Sequence, residues 1–266
     1  MASAGTERER VAAFLRVVDE HASTRVERLP FGRAYFNERV PRAWSRNFVA
    51  IDETVEPATL DEVVARSDRV QAEAGLDHRK IVFDAGLGAP EEEHLRGEGW
   101  RVQRNRVMVY RRGVAPQPGS GDAREVEPAA LRPARSNFMR SSPDTRDEET
   151  IRQLLEADAI LGAVAGERCF AAHEDGEVVS FCRVYSDGSV AQVEDVGTLQ
   201  AARGRGHSRA VIATALAETL DRHDLTFILA DDDDWPGDWY ARLGFDAIAH
   251  YDDVVQNLPR SREPRR

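Results

Sequence analysis

The stretch from Ala191 to Ile212, AQVEDVGTLQAARGRGHSRAVI, constrains this chain more than any other. A segment with strand character runs into Arg203-Gly204-Arg205-Gly206-His207-Ser208, and an apolar run with helical spacing follows at once. Glycines in such a turn let successive backbone N–H groups point to one spot ahead of a helix N-terminus, which makes that spot an anion site. Arg203, Arg205 and Arg209 add charge-assisted donors nearby. The stretch is not a Walker loop, because no Gly-Lys-Ser/Thr follows. It is also a poor dinucleotide fingerprint: the third glycine is absent, and the strand comes late in its unit.

The chain has 266 residues, enough for one large domain or two small ones. With 41% hydrophobic and 31% charged residues it has a globular composition. Cys169 and Cys182 are its only cysteines, so a disulfide-stapled fold is excluded. No apolar run approaches membrane-spanning length, and the N-terminus reads as an amphipathic helix, not a signal-peptide core. The expected compartment is the cytoplasm. A formal net charge of −11 argues against a nucleic-acid partner and mildly favours cationic small molecules.

Hydrophobic spacing predicts a helix over 6–21, strands at 33–36 and 47–51, a helix from Pro57 to Ala74, a strand at 81–84, a helix at 90–96 and a strand at 102–110. Gly113 to Asp122, GVAPQPGSGD, reads as a linker. Beyond it the expected order is β-α-α-β-β-β-α-β-α-β, with Asp-Gly hairpin signals in EDGE and SDGS. The glycine turn and the helix after it are expected to span 202–220, and the last strand starts at Ala247. Both halves end alike, IVFD…LRGEGWRV against FILA…YARLGFDA, which suggests a diverged duplication. The expected division is a first domain at 1–112, a linker at 113–123, a second domain at 124–258 and a mobile tail at 259–266. The fold class is α/β: a mixed, largely antiparallel sheet flanked by helices.

Gly204 and Gly206, preceded by Arg203, together with Tyr240-Ala241-Arg242-Leu243-Gly244-Phe245 downstream, resemble the GNAT superfamily of acyl-CoA-dependent N-acetyltransferases. The family's pyrophosphate loop is Q/R-x-x-G-x-G/A, and its later motif is Tyr-x-x-Leu-Gly-Phe. Ala201 stands where the first Gln or Arg belongs and supplies no such side chain. The resemblance covers about 124–257 in full and implies a tandem GNAT-like fold, the first half being a degenerate copy with no recognisable phosphate loop. NFVAID in the first half with ADDDDWPGDWYARLGF in the second is similar to two-unit GNAT proteins of GC-rich bacteria.

The resemblance further implies acetyl-CoA as co-substrate, no metal, and direct attack of a primary amine on the thioester. Arg203, Gly204, Arg205, Gly206, His207 and Ser208 are expected to hold the pyrophosphate. The backbones of Val196 and Thr198 would pair with pantetheine, and the Val196 N–H would face the oxyanion. Gly197 is expected as either the bulge that opens the pantetheine groove or a plain strand-end glycine. An alkylammonium is mostly charged at neutral pH and needs a base; Glu194 is expected as base or substrate anchor, against a solvated strand-end carboxylate. Strand alternation puts Glu194 and Asp195 on opposite faces, so one alone should face the cleft. Tyr240 is expected as the acid for the departing thiolate, against a core tyrosine. The acceptor is a small-molecule amine, with a polycation favoured by the acidic surroundings; a non-catalytic acyl-CoA-binding regulatory module is the alternative, and a homodimer is open.

The remaining candidates are plain. Asp231 to Asp234 reads as helix capping and solvation, without the oxygen spacing of a calcium loop. His173, His223 and His250 have no metal spacing, and His207 reads as a helix-start residue. Cys169, Cys182, Trp100, Trp235 and Trp239 are expected to pack in the core.

Overall fold

The computed structural model describes residues 4–52, 55–56, 59–118, 122–142, 145 and 147–257. Pro57, the middle of the Gly/Pro-rich stretch at 119–121, and the 259–266 tail lie outside the described residues.

The elements run α1 (Ala4–His21), β1 (Arg25–Leu29), β2 (Gly32–Phe36), β3 (Phe48–Ile51), α2 (Leu60–Glu73), β4 (His78–Phe83), α3 (Ala89–Gly97), β5 (Arg101–Tyr110), β6 (Ala123–Val126), α4 (Pro128–Arg140), α5 (Glu148–Val164), β7 (Arg168–Glu174), β8 (Glu177–Ser186), β9 (Val190–Thr198), α6 (His207–Thr219), β10 (Leu225–Asp231), α7 (Pro236–Leu243) and β11 (Phe245–Asn257). From β6 onward the order is the expected one. β1 was not anticipated: RVERL buries only Leu29 fully and carries three charges, so it shows little apolar alternation. As expected, α6 follows the glycine turn directly, starting at His207, with a short 3-10 turn at Gln200–Ala202 before the glycines.

The chain forms two compact units. The carboxy-terminal unit takes Arg106–Ala249 together with Met1–Val18; the amino-terminal unit takes Asp19–Asn105 together with His250–Arg266. This differs from the boundaries expected at 112 and 124. β5 and β11 each begin in one unit and end in the other, so each half contributes the end of its last strand to the unit built mainly from the other half. Residues 252–257 of β11 pair antiparallel with β4, from Asp252↔Phe83 to Asn257↔His78. Local pattern cannot show such an exchange, because each strand looks the same whichever sheet it joins. The described residues of the Gly/Pro-rich stretch after β5 fall inside the carboxy-terminal unit.

In the amino-terminal unit the strand order is β1-β2-β3-β4 followed by β11. β3 and β4 run parallel, in register from Val49↔Ile81 to Ile51↔Phe83. Phe36, Ile51, Ile81, Phe83, Leu95 and Trp100 form its core. In the carboxy-terminal unit the order runs from β5 through β10, β9, β8 and β7 to β6. β8 and β9 form one hairpin, and the β7–β8 hairpin turns through Asp175 (φ 50) and Gly176 (φ 84), the two left-handed residues that a type I′ turn requires. α6 is buried over most of its surface, and Val211, Ile212, Ala215 and Leu216 pack against Val184, Val193, Ile228 and Phe245. No described helix is long and apolar enough to cross a membrane.

Candidate functional site

β9 is the element that makes the site. It pairs parallel with β10 from Val190↔Leu225 as far as Val193↔Ile228. Both strands continue, β9 to Thr198 and β10 to Asp231, but the register stops at Val193. On its other side β9 follows β8 until the ladder jumps from Arg183↔Glu194 to Phe181↔Gly197. Asp195 and Val196 thus stand opposite Cys182 alone, which is a bulge with two residues against one. Asp195 takes the left-handed conformation, φ 54.

The expected bulge at Gly197 is therefore corrected. Gly197 is in regular register, and its lack of a side chain has another cause: a Cβ there would come within 2.6 Å of the Phe181 ring. The alternation argument for Glu194 and Asp195 is overturned as well. The left-handed residue breaks the period of two, and Glu194 and Asp195 both line one cavity.

That cavity has a volume of about 220 Å³. Its walls are Val193 to Val196 of β9, Ile228 and Leu229 of β10, Arg135 and Phe138 of α4, and Tyr240 of α7. Glu194 Oε2 accepts a 2.6 Å hydrogen bond from Gln192 Nε2. Burial first, and then the neighbouring Asp195 carboxylate, push the Glu194 carboxyl up to about 7. Tyr240 is 6% exposed. Burial, with the Glu194 charge second, raises its phenol above the ordinary range, so it stays protonated at neutral pH. Trp239 lies tilted against Tyr240 at 5.3 Å between centroids, and Phe245 and Tyr110 continue the aromatic series edge-on at 6.0 and 5.0 Å. Cys169 and Cys182 are buried as expected, and burial raises both thiols. Trp235 departs from expectation: it is 65% exposed, with Trp239 obliquely beside it at 5.9 Å. Proline at the first position of α7 fixes the turn that carries it outward.

The glycine turn forms as a loop with two left-handed glycines, Gly204 (φ 77) and Gly206 (φ 85), the second capping α6. The helix N-terminal N–H groups have no side-chain cap there. A Cβ on Gly204 would meet nothing within 4 Å, so its backbone faces open space. Thr198 and Ser208 come together: their hydroxyls share a 2.7 Å hydrogen bond. The Ser180 hydroxyl bonds Thr198 Oγ1 at 2.8 Å and the Gly197 carbonyl at 2.9 Å. This chain of hydroxyls fastens the end of β9 to the first turn of α6.

The loop arginines are partly engaged by the protein. Arg203 Nε donates to the Thr198 carbonyl at 3.3 Å, and Arg209 Nε to the Gln117 carbonyl at 2.9 Å. Arg205 pairs with Glu174 at 2.7 Å and donates to the Ala201 carbonyl at 3.0 Å. His207, the first residue of α6, places Nε2 at 2.7 Å from the same Glu174. Ala201 thus takes part through its backbone, where the family motif has a side chain.

Residues 165–247 match the family model for an acetyltransferase (GNAT) domain. The carboxy-terminal unit contains a GNAT domain. The fold of the whole chain is similar to that of a functionally unknown conserved protein from Staphylococcus epidermidis, with TM-score 0.73 and 10% identity over 89% of this chain and 95% of that one. It is also similar to a GCN5-related N-acetyltransferase from Kribbella flavida, with TM-score 0.64 and 18% identity over 94% and 95%. A tandem GNAT protein from the clavulanic acid biosynthesis pathway matches with TM-score 0.54 and 12% identity over 97% and 96%. The tandem GNAT-like architecture expected from the two halves is thus the observed one. No curated protein matches the sequence.

The sequence does not point to several residues that line the cavity. Arg135 and Phe138 sit on a helix more than fifty residues before the motif strand, and only packing brings them to it. Asp195 was assigned to the far face. Among the described residues, no group of three or more His, Cys, Asp or Glu could hold a metal ion. The Asp231–Asp234 run is tied up locally: Asp231 Oδ1 accepts from the Asp233 N–H at 2.9 Å, Asp234 Oδ1 from the Trp235 N–H at 2.8 Å, and Asp232 pairs with Arg106.

Proposed function

We propose that this protein moves an acetyl group from acetyl-CoA to a primary amine of a small molecule by direct attack. The observation that carries the reading is the shared cavity of Glu194 and Tyr240, in the gap where β9 leaves β10, within the same unit as the bare N-terminus of α6. The pyrophosphate would rest on the Arg203–Ser208 loop, where backbone N–H groups and the helix dipole favour anions. Pantetheine would lie along the Val196 and Thr198 backbone.

Glu194 takes the ammonium proton. Raised to about 7, its carboxyl is matched to a base working near neutrality. The free amine attacks the thioester carbonyl, and the Val196 N–H faces the developing oxyanion. Tyr240, held protonated, donates to the leaving thiolate. The C–S bond breaks as the C–N bond forms, and the second proton that the attacking nitrogen sheds restores the Tyr240 phenol, leaving an amide and free coenzyme A. Excess carboxylate around the cavity favours a cationic acceptor.

Titration calorimetry with acetyl-CoA, followed by thiol release with a panel of amines, tests this directly. Binding with turnover supports the reading. Binding without turnover across the panel favours an acyl-CoA-binding regulatory module. Absence of binding to the folded protein removes both.

A further inference from the structure

Asp195 is a non-glycine residue in the left-handed region, at the bulge between Glu194 and Val196. Such conformations persist where surrounding structure over-determines them, and they cluster at functional sites. Here the determinants are visible. Arg135 of α4 reaches Asp195 Oδ1 with Nη2 at 2.7 Å, and Arg183 of β8 brings Nε to 3.5 Å from Oδ2. Asp158 of α5 ties the same two arginines together, at 3.1 Å from Arg135 Nε and 3.2 Å from Arg183 Nη2. The two guanidiniums are almost wholly buried, with side-chain exposures of 11% and 6%. Two elements, α4 and β8, thus converge on one carboxylate, with α5 behind them, and the bulge on β9 carries that carboxylate.

We propose that Asp195 is a positioning residue: clamped by Arg135 and Arg183, it holds the bulge in the shape that turns Glu194 and the Val196 amide toward the cavity. The assignment rests on the acetyltransferase reading for its purpose, but the clamp itself does not. If β9 ran regularly past Glu194, Asp195 would stand opposite Cys182 in the ladder and Val196 would shift by one position to the other face. Asp and Asn tolerate the left-handed region best among residues with side chains, and glycine tolerates it freely. The conformation and the clamp can therefore be separated by substitution.

The test compares Asp195→Asn, Asp195→Gly and Asp158→Asn with the wild type. Asparagine keeps the backbone preference and can still accept from Arg135; glycine keeps the preference and loses the clamp. Asp158 lies outside the cavity walls and probes the clamp remotely. Two readouts are taken: acetyl-CoA affinity by calorimetry, and amide hydrogen exchange of the 193–198 segment in the free protein. The expected result is affinity weakened about tenfold by Asp195→Gly and about threefold by Asp158→Asn, with Asp195→Asn recovering most of the glycine loss. Exchange of 193–198 should rise in the same order. Wild-type exchange and affinity in Asp195→Gly overturn the proposal; if that variant does not fold, an unaltered Asp158→Asn overturns it. If the wild type binds no acetyl-CoA, the acetyltransferase reading fails, and the exchange order alone decides the clamp.

Discussion

The two units share a plan of paired parallel strands and differ in how those strands end. Each places two adjacent parallel strands next to a helix and a final crossing strand: β3 and β4 in the amino-terminal unit, β9 and β10 in the carboxy-terminal unit. In the first, register holds to the last residue of both strands, Ile51 and Phe83, and both of those side chains are core. In the second, register stops at Val193 and Ile228, the strands separate, and the space between them is lined by Glu194 and Tyr240. β3 also pairs with β2 without irregularity, whereas β9 is bulged against β8. A groove in this architecture is therefore a local defect in pairing, and a sheet that never breaks register has room only for its own side chains.

The largest expected effect sharpens that contrast through glycines. A Cβ on Gly32 would overlap the Ala50 carbonyl oxygen, a backbone atom of the closed sheet. Gly32→Ala should cost about 3 kcal/mol, seen as a lower denaturant midpoint at unchanged slope. Gly197→Ala meets the Phe181 ring, a side chain beside the opened strand, and should cost nearer 1 kcal/mol. Equal costs would mean that the bulged sheet is as unyielding as the regular one.

Gly206→Trp should next weaken acetyl-CoA binding about a hundredfold by calorimetry, since φ 85 suits glycine and the ring would fill the anion site. Unchanged binding would place the coenzyme elsewhere and remove the functional difference between the units. Tyr240→Phe should lower kcat about tenfold with acetyl-CoA affinity unchanged. Full activity across pH would return Tyr240 to the aromatic core.

The smallest effect concerns pH. Glu194 has an ordinary value of 4.5 and is pushed to about 7, so the base is active only above that point, and kcat/KM should rise as pH passes upward through about 7. Linkage runs the other way. Between 4.5 and about 7 the folded chain keeps a proton that the unfolded chain releases, so this group's contribution to stability is lost as pH rises through that window. Glu194→Gln should abolish turnover's acid limb and make the unfolding midpoint less dependent on pH there. Asp195→Asn, by removing the repelling charge, should move the limb to lower pH.

Much of the carboxy-terminal unit was legible because its signals are local. Asp-Gly pairs turn the β7–β8 and β8–β9 hairpins, Gly206 starts α6, and Tyr240 through Phe245 spans a helix end and a strand start within six residues. The bulge was placed two residues late, because sequence suggests a bulge by a glycine and this one is made by an aspartate that distant arginines restrain. β1 escaped notice because an edge strand with one buried side chain has almost no apolar period. Trp235 was assigned to the core on residue type alone, which says nothing about where a proline-started helix points its preceding residue.

The exchange of β5 and β11 has a consequence for how the chain comes into being. A ribosome delivers α2, β4 and α3 long before it delivers β11, yet β4 takes its partner from residues 252–257. Until then β4 offers an open row of amide and carbonyl groups to any passing strand. The half made first is thus the half finished last, and a message cut short after residue 112 would encode a sheet with a missing neighbour.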